Sequence, residues 1–364
     1  MEYKKLSLKN ISANLFVYGT THAVVDATCA AVIFSILKNK IVGIQEFFSL
    51  VVAYNVLAFG LQAGFGLIVD YFKSPRAAAL LGCVFTGISA LIFLYFPIIA
   101  IIFAGVGNAL FHIGGGSISL NLTPKKATAP GIYVAPGALG LLAGTLFGKS
   151  GQFMVWPFIL LLVLMCFLIL TIKKPEMDYE RENTIKNKFN YFEAILLLVF
   201  LSVAVRSLVG FIVVFPWKSD INLLVALTIA VVLGKGFGGI LADKIGWIKV
   251  AVGALFLSIP FIAFGSSNPY LAIMGMFLFN MTMPVTLVAL SNILPGRPAF
   301  AFGLTCLALV LGAFPVFTGL KPIFSNSATI FAVIFISAAA LYSGLQLLLN
   351  NKVFSYTKEV NKLT

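Results

Sequence analysis

Long apolar runs alternate with short polar connections along the whole chain. Twelve such runs fall at approximately 14–37, 46–69, 77–96, 98–121, 129–149, 153–172, 191–215, 221–242, 248–265, 270–293, 299–319 and 328–349. An apolar helix of about 20 residues crosses the ~30 Å hydrocarbon core of a bilayer. The pattern therefore predicts an all-α membrane protein with twelve transmembrane helices. Only Pro97 separates the third run from the fourth. A proline after an aromatic-rich apolar run reads as a tight interfacial turn, not as the middle of one long helix. The first run is longer than a signal-peptide core and has no clear small-residue cleavage site, so it reads as a retained helix.

Composition turns this pattern into an exclusion. The chain has 364 residues, 60% hydrophobic and 10% charged, with a mean hydropathy of +1.04. A soluble domain of this length needs far more charge to cover its surface. The net charge of +13 does not point to nucleic acid, because the basic residues sit in the connections between apolar runs and form no basic stripe.

Their placement follows membrane topology instead. With a cytoplasmic N-terminus, 18 basic residues fall on the inside: Lys4, Lys5, Lys9, Lys73, Arg76, Lys125, Lys126, Lys173, Lys174, Arg181, Lys186, Lys188, Lys244, Lys249, Arg297, Lys352, Lys358 and Lys362. Only 5 fall outside: Lys38, Lys40, Lys149, Lys218 and Lys321. This bias predicts a multi-pass plasma-membrane protein with both termini in the cytoplasm. Cys29, Cys83, Cys166 and Cys306 lie within apolar runs at wide spacing and imply neither a disulfide nor a metal.

The stretch 173–190 is highly charged, carries one proline and has no apolar period, so it reads as a linker. It divides the chain into an N-terminal half, 1–172, and a C-terminal half, 191–364, each with six runs. An internal repeat supports the division. GFGLIVDYFKSPR, with Gly66, Asp70, Lys73 and Arg76, follows the second run, and GFGGILADKIGWIK, with Gly239, Asp243, Lys244, Gly246 and Lys249, follows the eighth. Each copy places a glycine four residues before an aspartate at a helix end. A carboxylate there can cap the N-terminal amides of a neighbouring helix. The fifth and eleventh runs echo each other as well, with Gly137, Gly140 and Gly144 in one and Gly312, Pro315 and Gly319 in the other.

Few polar residues lie inside the apolar runs, and those few are the candidate chemistry. Asn14, Tyr18, His22 and Asp26 recur every four residues and share one helical stripe. An Asp at the centre of a spanning helix costs about 3 kcal/mol on insertion scales, so the stripe needs a polar interior to face. Asn108 and His112 repeat the spacing in the fourth run. Arg206 is a cation in the seventh run and must meet an anion or water. Lys235 lies eight residues before Asp243, at the repeat position of Gln62, and its long stem allows it to reach the interface instead. Asn280, with Met276 and Pro284, is the polar feature of the tenth run. Each of these also has a structural reading, as a hydrogen-bonded or ion-paired packing residue.

At this point the chain resembles the major facilitator superfamily over nearly its whole length. The family pattern after the second helix, G-x-L-a-D-r-x-G-r-r, fits Gly239 to Gly246 well; the first copy keeps Gly66 and Asp70 but has Tyr71 and Lys73 in place of Arg and Gly. Within the family the chain is most similar to fosmidomycin-resistance-like exporters. His22-x-x-x-Asp26, Gln62 and the Gly107–His112 segment carry that likeness, although Ile113 stands where those exporters have a proline.

The resemblance implies two six-helix halves with helices one, four, seven and ten lining a central cavity. His22, Asp26, Asn108, His112, Arg206 and Asn280 then form the substrate and proton site, with Gln62 and Lys235 as further candidates. Asp70, Arg76, Asp243 and Lys244 become conformational gates on the cytoplasmic side. A carboxyl group drawn out of water favours its neutral form, which suits Asp26 to bind and release protons.

The expected function is secondary active transport by alternating access: proton-coupled export of a small organic solute, with Arg206 and the histidines pointing to an anionic or phosphonate-like one. Arg206 would pair either with Asp26 or with the substrate. Sodium, held by Asp26 and Asn14, is the alternative coupling ion. A nutrient facilitator or importer would use the same cavity, and a non-transporting sensor or lipid-handling protein is the rival of another class. No nucleophile triad or metal-ligand spacing is present, and the glycine clusters lack the strand and GK[ST] of a phosphate loop. The reading is of a monomer without enzyme activity or cofactor, whose partners are the solute, protons and the bilayer.

Overall fold

A computed structural model describes residues 6–39, 43–177, 179 and 191–350. All regular structure among them is helical. In chain order the helices are α1 (Leu8–Lys38), α2 (Gln45–Tyr71), α3 (Pro75–Ile92), α4 (Pro97–Leu122), α5 (Thr128–Ser150), α6 (Val155–Thr171), α7 (Phe192–Ile212), α8 (Ile221–Ile245), α9 (Ile248–Ala263), α10 (Pro269–Ile293), α11 (Pro298–Phe317) and α12 (Ser327–Leu349). A short helix, Lys321–Phe324, precedes α12. Among the described residues, ten of these twelve are long and apolar enough to cross a membrane, while α6 and α9 are shorter apolar helices. Each apolar run of the sequence overlaps one of these helices, the third extending past α3 into the turn before Pro97. Most of the 173–190 linker lies outside the described residues, as do Lys4, Lys5, Lys40, Arg181, Lys186, Lys188, Lys352, Lys358 and Lys362.

Helix starts follow local chemistry. Pro75, Pro97, Pro269 and Pro298 each occupy the first turn of a helix, where a missing N–H does no harm and the fixed φ is already helical. Pro97 accordingly begins α4 after a turn at Phe93–Phe96, as the sequence suggested. Asp220, Asn268 and Asn326 cap α8, α10 and α12 through their side-chain oxygens. Two helices are interrupted next to prolines. α5 breaks at Ala135–Pro136, and α10 breaks at Met281–Thr282, just before Pro284.

α1 packs against α4, α5 and α6, and α7 against α10, α11 and α12. The early and late helices meet through α2 with α11 and α5 with α8. Outward faces of the bundle are apolar, as at Trp156, Leu160 and Phe167 on α6 and Phe331 and Phe335 on α12, the inverse of a soluble surface and suited to lipid. Lys149 and Lys321, assigned with Lys218 to one side by the charge pattern, both lie within electrostatic reach of it; burial and then Lys321 and Lys149 hold Lys218 below its ordinary pKa.

α1 and α5 meet backbone to backbone. Gly140 and Gly144 sit against the carbonyls of Ala23 and Ala27, where any Cβ would overlap them. Small residues one turn apart allow so close an approach, and here they bring α5 beside His22 and Asp26. Gly312 of α11 lies against the Ala204 carbonyl of α7 in the same manner. Replacing Gly144 by Ala should destabilise the solubilised protein by about 1–3 kcal/mol through overpacking. Gly64→Ala, at an exposed α2 position with nothing within 4 Å, should leave it unchanged or slightly more stable. Thermal unfolding in detergent, run on both variants, checks the contrast.

Candidate functional site

Two histidines and one carboxylate converge between α1 and α4. His22 Nε2 lies 3.3 Å from Asp26 Oδ2, and His112 Nε2 lies 3.7 Å from Asp26 Oδ1. Asn108 Nδ2 donates to Asp26 Oδ1 at 2.8 Å. The two imidazoles meet edge to face with centroids 4.4 Å apart. The four-residue spacing in each helix supplies one side of the cluster, and the α1–α4 contact closes it.

The tautomers of both rings follow from their backbone partners. His22 Nδ1 faces the Tyr133 carbonyl at 3.0 Å, and His112 Nδ1 faces the Asn108 carbonyl at 2.8 Å. A carbonyl oxygen only accepts, so each Nδ1 carries a hydrogen and each neutral ring turns an Nε2 lone pair toward Asp26. Three acceptors facing one another repel unless a cation sits among them. That cation can be a proton on one ring, giving an imidazolium–carboxylate pair.

Tyr133 and Gly137 belong to this site, although the sequence pattern singles out Gly137 only in the echo between the fifth and eleventh runs and Tyr133 not at all. Tyr133 stacks on the His22 ring at 5.0 Å and supplies its carbonyl acceptor. A Cβ on Gly137 would stand 2.5 Å from His22 Nε2 and 2.7 Å from Asp26 Oδ2. Only glycine leaves that space open. One residue acts through its backbone carbonyl and the other through a missing side chain, so no side-chain signal marked either.

Arg206 is 7% exposed on α7. Its Nη2 donates to Thr286 Oγ1 of α10 at 3.4 Å, and its Nε has no hydrogen-bond partner. Among the described residues no carboxylate pairs with it; Asp26 is engaged by the two histidines. Lys235 is half-buried on α8, within electrostatic reach of Asp26, His112 and Arg206. The polar interior thus has a carboxylate–imidazole wall from α1 and α4 and a cationic wall from α7 and α8.

Other polar residues find local partners instead. Asn14 donates to the carbonyls of Asn10 and Lys173, fastening α1 to the start of the linker. It lies twelve residues from Asp26, about 18 Å along the helix, so it is not a co-ligand for a sodium ion there. Gln62 donates to the Ala58 carbonyl and Asn280 to the Met276 carbonyl, each one turn back on its own helix. Arg76 donates to the Ile172 carbonyl at the end of α6, a contact among the first six helices. Lys244 is exposed in the last turn of α8, where a cation complements the helix dipole.

The repeated aspartates share one geometry. Asp70 of α2 accepts from the amides of Ala299 (3.1 Å) and Phe300 (2.8 Å) at the start of α11. Asp243 of α8 accepts from the amides of Ala127 and Thr128, both at 2.8 Å, and from Thr128 Oγ1 at 2.6 Å, at the start of α5. Neither α5 nor α11 has a side-chain cap from its own flanking residue, so both take a carboxylate from another helix. Gly66 and Gly239 lie against Ala299 and Ala127, which explains the glycine four residues before each acid. Asp243→Asn should speed hydrogen exchange at Ala127 and Thr128 alone, and Asp70→Asn at Ala299 and Phe300 alone. Each lost charge-assisted cap corresponds to about 1–2 kcal/mol. Exchange mass spectrometry of the two variants reads the effect.

No family model and no curated protein sequence matches the chain. Solved structures do match. A point variant of the Escherichia coli fucose:proton symporter FucP superposes with a TM-score of 0.68 at 11% identity, covering 93% of this chain and 98% of that one. FucP in an outward conformation gives 0.63 at 12% identity, covering 91% and 99%. The human organic anion transporter MFSD10 gives 0.68 at 12% identity, covering 94% and 100%. The fold is that of major facilitator superfamily transporters.

Proposed function

We propose that this chain is a secondary active transporter that moves a small organic anion by alternating access, coupled to protons and directed outward. The observation that carries the reading is Arg206, a buried guanidinium with no carboxylate partner among the described residues. Stripping a buried charge of its counter-ion costs about 3–5 kcal/mol. A solute anion that binds Arg206 and Lys235 would remove that penalty. The fold is shared with a fucose:proton symporter and an organic anion transporter, which supports transport, proton coupling and an anionic cargo.

Coupling is read from the Asp26 cluster. Its carboxylate and two Nε2 atoms hold one proton favourably and stand together poorly without it, so occupancy by a proton changes the field seen by Lys235 and the bound anion. A proton drives transport only if its affinity differs between the two facing states. The outward direction rests on the resemblance to fosmidomycin-resistance-like exporters carried by His22, Asp26, Gln62 and Gly107–His112. The 18-to-5 charge bias supports a cytoplasmic location for both termini and the linker. In that orientation the Asp70 and Asp243 caps join the two six-helix halves on the cytoplasmic side and hold the outward-facing state.

Proteoliposomes with an imposed pH gradient test the reading. A panel of small carboxylates and phosphonates should include one that drives lumenal pH change in the wild type. Asp26→Asn should abolish that proton movement, and Arg206→Gln should weaken apparent anion affinity at least tenfold while neutral solutes stay unaffected. Solute movement without proton movement would turn the reading to a facilitator, and movement of neither would leave only the fold.

The caps make a separate kinetic prediction. Asp70→Asn should lower turnover with substrate affinity unchanged, because it alters the balance of states and not the cavity. Paired binding and transport measurements on that variant check it, and unchanged turnover removes the gating role.

A further inference from the structure

The sequence offers no metal-ligand spacing, yet the fold brings His22, Asp26 and His112 together with one ligand atom of each within 4.8 Å of the others. Two Nε2 lone pairs and a carboxylate oxygen are a donor set in its own right. In a tetrahedral zinc site with bonds of about 2.0–2.1 Å, ligand atoms stand about 3.3–3.4 Å apart. His22 Nε2 stands 3.3 Å from Asp26 Oδ2, at that edge length, and His112 Nε2 stands 3.7 Å from the other oxygen, Oδ1, so a small closing movement of the His112 ring or the carboxylate would complete the set.

Three further observations fit a cation of this kind. Both Nδ1 atoms donate to backbone carbonyls, the arrangement that fixes an imidazole with its Nε2 free and turned to a metal. Gly137 keeps open the space beside His22 Nε2 and Asp26 Oδ2 that a Cβ would fill. Asn108 Oδ1 is buried without a hydrogen-bond partner, and a half-turn of that amide would present an oxygen to the cluster in place of its Nδ2.

We propose that His22, Asp26 and His112 form a binding site for a divalent transition-metal ion of the zinc class, with a fourth position left open to water or to an anionic group of a solute. Two imidazoles with one carboxylate suit Zn²⁺ and its first-row neighbours. Calcium and magnesium ask for oxygen-rich sets of six or more ligands. Lys235, whose charge reaches Asp26, opposes a dication and keeps the affinity moderate. An anion in the open position would offset that opposition. The cluster is the one that holds the coupling proton in the transport reading, so metal and proton compete for the same lone pairs. Zinc binding by the purified chain is measured without transport, so the two readings fail separately.

The test uses the full chain purified in detergent without a histidine tag. Zinc titration against a chromogenic chelator should show one saturable ion per chain. His112→Ala and Asp26→Asn should each weaken binding at least tenfold, and Gly137→Ala should weaken it as well. Zinc-edge X-ray absorption on the loaded wild type needs no variant and should show two imidazoles in the first shell. Absence of saturable binding, a first shell without imidazole, or unchanged affinity in a His22→Ala/His112→Ala double variant that remains monodisperse would each overturn the proposal.

Discussion

An ionisable side chain in the middle of an apolar bundle has to find its partners within the protein, and that requirement organises this molecule. Asp26 is the clearest case. Its two oxygens face His22, His112 and Asn108, and the rings of those histidines are themselves held by the Tyr133 and Asn108 carbonyls. Reaching that arrangement requires α1, α4 and the first part of α5 to approach closely, which the small residues of α5 allow. Packing and electrostatics are therefore not separate here. The glycine stripe that brings α5 onto α1 also sets the room available beside the acid.

Arg206 stands in contrast to Asp26. The acid has partners on three residues, whereas the guanidinium has one long contact to Thr286 and an unpartnered Nε. A polar interior with a satisfied anionic wall and an unsatisfied cationic wall is the basis of the proposed bias toward anions. That bias comes from placing the acid and its histidines on α1 and α4 and the cations on α7 and α8.

Much of the fold was legible in the sequence because bilayer thickness sets helix length directly, and prolines such as Pro75, Pro97 and Pro298 mark helix starts. The Gly-x-x-x-Asp repeat was legible as well, since glycine and carboxylate each do one job at a helix crossing. Side-chain partners were harder to read. Asn14 shares the helical stripe of Asp26 yet bonds to Lys173, because helical spacing gives a face but not what lies opposite it. Arg76 and Lys244 sit beside the repeated acids in sequence, but one binds the end of α6 and the other is exposed. Tyr133 enters the site through a backbone carbonyl, which every residue has, so its side-chain chemistry gave no signal.

The crossed caps bear on how the chain is made. Asp243 completes the start of α5 from 115 residues further on, and the amides that Asp70 binds begin 229 residues after it. During synthesis α5 begins with unsatisfied amides and α2 ends with an unoccupied acid, and both wait for later helices to emerge. Neither set of six helices carries the means to finish itself. The first six, made alone, would hold one acid without amides and one helix start without an acid, so the early and late helices each depend on the other for a cap.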